Sequence, residues 1–256
     1  MSLRKTTRSP RRPSAGSEGR SARSTSWRFR QDKFKEMTLA MTETPPIFRK
    51  TAFDAVEQAR ALIFDCDGTL VATLPLHGRA WAHGLRCSVK EMPLGWYFRR
   101  AGMSEYRLMD EFEAEHKIQL DRPEVVKRMR EEFLSRLSTL DEISPIAQIA
   151  RERKGIVPMA VASGGARAIV TATLEATQLC PLFDEIVTMD DVTRGKPFPD
   201  LFLEAARRLR MNPSDCLVFE DTEEGLLAAQ RAGMVAIDVR SLVAPGACDF
   251  EKRSFA

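Results

Sequence analysis

From residue 144 onward the chain alternates short apolar runs with stretches of helical length, and this alternation constrains its fold more than any other feature. Residues 156–162, 185–188, 216–219 and 235–239 read as strands, and 166–177, 199–209 and 222–232 as helices. A further apolar run, Ala61-Leu62-Ile63-Phe64, stands upstream. Strands separated by helices of this length form right-handed βαβ units. The expected fold is therefore α/β: a Rossmann-like parallel sheet covered by helices on both faces.

The stretch 76–140 breaks the alternation, being rich in charge and nearly devoid of β-branched runs. Ser104 before Glu105 and Leu108 resembles a helix start. Pro123 opens another helix, with Val125, Val126, Met129 and Phe133 spaced along one buried face. These residues predict an inserted α-helical cap over 77–143. The catalytic core then comprises 51–76 and 144–245, followed by a C-terminal tail, 246–256.

Charge divides the chain differently. The first 50 residues carry 13 Lys+Arg against 4 Asp+Glu, and the other 206 carry 26 against 32. Residues 1–50 thus form a basic tail, expected to be disordered to about residue 45 because it is rich in Arg, Ser, Thr and Pro without apolar periodicity. It reads as an organelle-targeting presequence, a basic arm, or an upstream extension with Met37 or Met41 as the true start. The basic pI belongs to this segment, so no nucleic-acid partner is expected of the mildly acidic remainder. Five scattered cysteines without a Cys-x-x-Cys pair point to a reducing, cytoplasmic setting. No apolar stretch approaches the ~20 residues of a membrane span. A monomer is expected, with a dimer as the alternative.

The chemistry gathers at strand ends. Asp65-Cys66-Asp67-Gly68-Thr69 follows the first apolar run, and side chains two apart on an extended segment point the same way. Two carboxylates so placed repel unless a cation or a shared proton lies between them. Cys66 then points into the sheet as a small apolar filler. Ser163-Gly164-Gly165 follows the second strand and Glu220-Asp221 a later one; Lys196 precedes Pro197-Phe198-Pro199-Asp200. Parallel strands bring such ends to one edge. Each residue alone has an ordinary reading as a turn, a helix cap or a solvated charge. Convergence of all four does not. Hard oxygen ligands in this number favour Mg²⁺ together with a phosphate, and the lysine and hydroxyls complete a phosphoryl-transfer set.

The ordered motifs Asp-x-Asp-Gly-Thr-Leu, Ser, Lys-Pro-x-Pro-Asp and Phe-Glu-Asp-Thr-x-x-Gly resemble the haloacid dehalogenase-like (HAD) hydrolases over residues 61–240. The helical insert resembles the cap of their β-phosphoglucomutase and sugar-phosphatase branch. Segments 64–81 and 218–240 are similar to its bacterial fructose-1-phosphate and 6-phosphogluconate phosphatases. The resemblance implies Asp65 as nucleophile and Asp67 as general acid and base. It implies Mg²⁺ on Asp65, the main-chain carbonyl of Asp67, and Asp221, with Glu220 assisting. Phosphate would be held by Thr69, Ser163, Gly164 and Lys196. His77 stands where relatives carry a His at the start of the cap.

Ala72 and Leu74 stand at the two acidic positions of the relatives' common pattern, at the junction of core and cap. Gly102-Met103-Ser104 is followed by Glu105, where the mutases place an Arg for a second phosphate. Arg107 follows two residues later, as in the sugar phosphatases, with Arg99 and Arg100 as further cap contacts. Trp81 and Phe98 read as cap core, and His83 and His116 as surface residues. The expected activity is a Mg²⁺-dependent phosphatase acting on a small phosphorylated sugar or sugar acid. The alternatives are a β-phosphoglucomutase-type mutase and a weakly active HAD-fold binding protein.

Overall fold

The structure, a computed structural model, describes residues 46–88 and 92–243, with side chains from residue 52 onward. The expectations for residues 1–45 and 246–256 lie outside that range. Residues 46–50, expected in the tail, instead begin helix α1 (Pro46–Gln58). Its Glu57 accepts from Arg153 Nη1 at 2.8 Å, tying α1 to helix α6 (Ser144–Arg153).

The sheet contains β1 (Ala61–Phe64), β2 (Met159–Ala162), β3 (Glu185–Val187), β4 (Cys216–Glu220) and β5 (Val235–Asp238). All pairings are parallel, in the order β3-β2-β1-β4-β5. Helices α7 (Arg167–Ala176), α8 (Asp200–Leu209) and α9 (Glu223–Arg231) connect successive strands. Every β1 residue is 0% exposed, which accounts for its unbroken apolar sequence: a central parallel strand is covered on both faces. Phe64 stacks on Phe219 of the neighbouring strand, ring centroids 4.6 Å apart and nearly coplanar in orientation. Burying a side chain of this size contributes about 1.5–3 kcal/mol.

The expected strand over 156–162 is shorter than its apolar run. Ile156 is 51% exposed, and the ladder starts at Met159. Gly155, at φ +74°, turns the chain out of α6, and Pro158 has no N–H to give a central strand.

The insert between β1 and α6 comprises α2 (Leu74–Leu85), α3 (Leu94–Phe98), α4 (Glu105–His116) and α5 (Arg122–Ser135). Ser104 caps α4 by accepting from Arg107 N, and Asp121 caps α5 by accepting from Glu124 N, with Pro123 in the first turn. The predicted face of α5 is the observed one, for Val125, Met129 and Phe133 are buried against Trp81, Leu85, Met109 and Phe112. Two antiparallel connections join insert and sheet: Ala72 N donates to Asp141 O at 2.9 Å, and Ile143 N to Leu70 O at 2.8 Å. Insert and sheet belong to one compact unit.

Candidate active site

Strand order places the chemistry. The chain leaves β1 for β2 on one side and later returns to β4 on the other, so β1 is the switch point at which an open parallel sheet forms its crevice. Asp65 follows β1, Ser163 follows β2, and Glu220 ends β4 before Asp221. The register Phe64↔Phe219 puts Asp65 level with Glu220.

Gly68 makes the turn beyond β1 at φ +89°, and a Cβ there would lie 2.2 Å from Asp221 Oδ2. Only glycine supplies both the turn and the space. Thr69 Oγ1 donates to Asp221 Oδ1 at 3.2 Å, so the structure aims this expected phosphate ligand at the acidic cluster.

Lys196 lies between two buried carboxylates. Its Nζ donates to Asp65 Oδ1 at 2.5 Å and to Glu220 Oε2 at 2.7 Å. The other Glu220 oxygen accepts from Asp221 N (3.2 Å), Thr222 N (3.0 Å) and Thr222 Oγ1 (2.6 Å). Both Glu220 oxygens are therefore held within the protein, Oε2 by Lys196 alone. A Cβ on Gly225 would stand 2.0 Å from Glu220 Cδ, so the first turn of α9 must pass the carboxylate without a side chain.

One oxygen each of Asp65, Glu220 and Asp221 can be chosen so that all lie within 4.8 Å of one another. Burial raises the Asp65 pKa well above the usual carboxylate range, and Glu220, Asp221 and Asp67 raise it further against the opposing Lys196 charge. Burial, and then Glu220, pushes Asp221 up to about 7. A cluster that cannot easily carry all its negative charge unaided suits a metal cation with hard oxygen ligands. The donor set thus fits a metal ion.

Asp67 has a different environment. Its Oδ1 accepts from Thr73 Oγ1 at 2.7 Å and lies 3.2 Å from His77 Nε2; Ser163 Oγ donates to Oδ2 at 3.2 Å. Burial would raise this carboxyl, but the bond and charge of His77, with the Thr73 and Ser163 hydroxyls, hold it below its ordinary value. Ser163 Oγ also accepts from Gly165 N at 3.0 Å. Two carboxylates two residues apart are thereby given opposite tendencies, the arrangement that divides acid–base work from other roles.

A cavity of about 80 Å³ lies over Asp65, Asp67, Lys196, Glu220 and Gly164, roofed by the insert. His77 lines it. Arg107 does not: its guanidinium reaches across to Glu224 of α9 at 3.2 Å. Arg100 is engaged by Glu111 and Glu115 and lies over the Trp96 ring. Trp81 is both cap core and cavity wall, so its sequence reading covers half of its position. Sequence reasoning missed Thr73, Thr222 and Tyr97. Thr73 had a usable signal in its position just before a proline-opened helix, where a hydroxyl is common.

The chain matches the haloacid dehalogenase-like hydrolases over residues 59–233, and it belongs to that family. It is similar to the fructose-1-phosphate phosphatase YqaB of Escherichia coli, 35% identical over 191 residues that cover 73% of this chain and 99% of that protein. It is 29% identical to the β-phosphoglucomutase of Bacillus subtilis over 70% of this chain and 83% of the relative. Among solved structures, CbbY from Rhodobacter sphaeroides in complex with phosphate superposes with a TM-score of 0.60 at 25% identity, covering 70% of this chain and 84% of that one. Family and phosphatase-named relatives together support the class of phosphoric monoester hydrolase. Among the described residues, no helix is long and apolar enough to cross a membrane.

Proposed function

We propose that the protein is a Mg²⁺-dependent phosphatase that hydrolyses a small phosphorylated sugar or sugar acid through an aspartyl-phosphate on Asp65. The observation that carries this reading is the division of labour between two neighbouring carboxylates. Asp65 sits in the acidic cluster with Lys196, and Asp67 stands among three hydrogen-bonding side chains.

An Asp65 oxygen attacks phosphorus as the bond from phosphorus to the leaving oxygen breaks. Asp67 delivers a proton to that oxygen. Its present partners keep it ionised, and an arriving phosphate dianion raises its pKa toward the protonated form. Asp67 then takes a proton from the water that attacks phosphorus, and the bond from phosphorus to Asp65 breaks. Lys196 orients Asp65 and offsets charge on the transferring group. Ser163 and Gly164 border the phosphate position, with Thr69 behind Asp221. Asp65, Asp221 and the Asp67 carbonyl, with Glu220 behind them, would hold Mg²⁺, which would supply positive charge against the repulsion of an anionic nucleophile and an anionic phosphate.

The helical insert, about 77–143, acts as the cap. The cavity lies between this cap and the sheet edge, and two main-chain connections join the two. Glu105 on the cavity wall and Arg107 turned toward Glu224 favour hydrolysis over a mutase. Phosphate release should be assayed over a panel of sugar phosphates with Mg²⁺ and with EDTA. Release that requires Mg²⁺ and is lost in Asp65→Asn is expected; unchanged release by that variant would sink the proposal.

A further inference from the structure

A second concavity lies on the cap, away from the catalytic cavity. It measures about 720 Å³ and opens between α2, α5 and the entry to α3. Arg79, His83 and Arg86 give it basic groups from α2 and its C-terminal end, and Arg136, just past α5, gives it another. Glu132 is its carboxylate among the described residues, and it accepts from Arg136 Nε at 2.5 Å. Met92 and Leu94 supply an apolar side.

Helix geometry separates this groove from the catalytic cavity. Leu74, His77 and Trp81 line the catalytic cavity; at about 3.6 residues per turn, Arg79, His83 and Arg86 fall on the opposite side of α2. The sequence of α2 contains no Asp or Glu. Arg86 and Arg136 stand at the C-terminal ends of their helices, where the dipole favours a cation. That accounts for two of the arginines. Arg79 stands more than a turn inside α2, beyond the reach of that effect. Three guanidiniums around one carboxylate leave the lining with an excess of positive charge, and concave walls concentrate its field.

We propose that this groove binds a small anion carrying two or more phosphate or carboxylate groups. Its volume lies within the range of about 300–1,000 Å³ typical of small-molecule sites. Guanidinium forks match both kinds of group bidentately. About 10 Å of helix axis separates Arg79 from Arg86, a span that two long side chains can close around one such anion. His83 stands between them and adds a ring N–H, while Met92 and Leu94 offer an apolar surface to the body of an organic ligand. The site is separate from the catalytic cavity and does not depend on the reaction proposed above.

Calorimetric titration of the full chain with inorganic pyrophosphate and with citrate, in metal-free buffer, tests the proposal. At least one of the two is expected to bind, and its Kd should rise about tenfold or more in Arg79→Gln/Arg86→Gln, which loses two charge-assisted contacts. Both side chains are exposed, and an unchanged urea-unfolding midpoint shows that the variant is folded. Tighter binding of pyrophosphate assigns the site to phosphorylated ligands, and tighter binding of citrate assigns it to polycarboxylates. Hydrogen exchange on the unaltered chain locates the bound probe without any variant: protection is expected over 79–88 and 132–136. Neither probe binding at millimolar concentration, even if RNA or anionic vesicles bind instead, overturns the proposal. So does an unchanged Kd in the variant, or protection confined to 65–69 and the Lys196 segment.

Discussion

Replacing Lys196 with Met should cost stability in a pH-dependent way that follows from its two ion pairs. The ammonium is 6% exposed, between Asp65 at 7% and Glu220 at 1%. Removing one member of a buried ionic group leaves the remaining charge uncompensated and costs about 3–5 kcal/mol. For a domain of this size that corresponds to a Tm lower by roughly 6–20 °C. Lys196 is the group that lowers the Asp65 pKa against burial and three neighbouring carboxylates, so its loss raises that pKa further. A carboxyl raised on folding carries no penalty below its unfolded pKa of about 3.9 and an increasing one above it. The deficit of Lys196→Met relative to the parent should therefore be full near neutrality and shrink toward about pH 5, as the carboxyls take up protons. Urea unfolding in EDTA at both pH values measures it. A variant as stable as the parent at neutral pH, or one whose deficit grows on acidification, would refute the reasoning.

Two further substitutions probe the same frame. Thr73→Val removes the 2.7 Å donor to Asp67, so burial is less opposed and the Asp67 pKa rises; the acid limb of the pH–rate profile should move to higher pH, with kcat reduced about tenfold. An unmoved limb would place the proton chemistry elsewhere. Gly225→Ala would drive a methyl to within 2.0 Å of Glu220 Cδ. It should destabilise by about 1–3 kcal/mol or more and weaken Mg²⁺ binding, read by urea unfolding and by calorimetric titration; a variant with parental values in both would contradict the described packing.

Much of this site was legible because its signals are local. Asp65, Ser163 and Glu220-Asp221 each terminate an apolar strand, and parallel strands carry such ends to one edge without further information. Lys196 was legible through the prolines that follow it. The apolar 61–64 run announced a central strand because burial on both faces removes the usual alternation. The 156–162 run misled for a related reason: apolar content does not reveal that Pro158 cannot extend the ladder or that Ile156 faces solvent. The cap gave up its helices but not its contacts. Trp81 faces core and cavity at once, Arg107 meets Glu224 across 117 residues, and Thr222 engages a carboxylate two residues before it. Such pairings depend on how the cap sits over the sheet, which helical periodicity does not encode. The absence of acidic groups at Ala72 and Leu74 has no explanation in the packing.

The central claim is that Asp65 becomes covalently phosphorylated. Rapid quenching in acid during turnover of a hexose monophosphate with Mg²⁺, followed by peptide mass spectrometry, tests it directly. The account predicts a phosphorylated peptide whose modification maps to Asp65, and its absence in Asp65→Asn. Burst-free turnover by the parent with no modified peptide, or a phosphate mapped to another side chain, would contradict it.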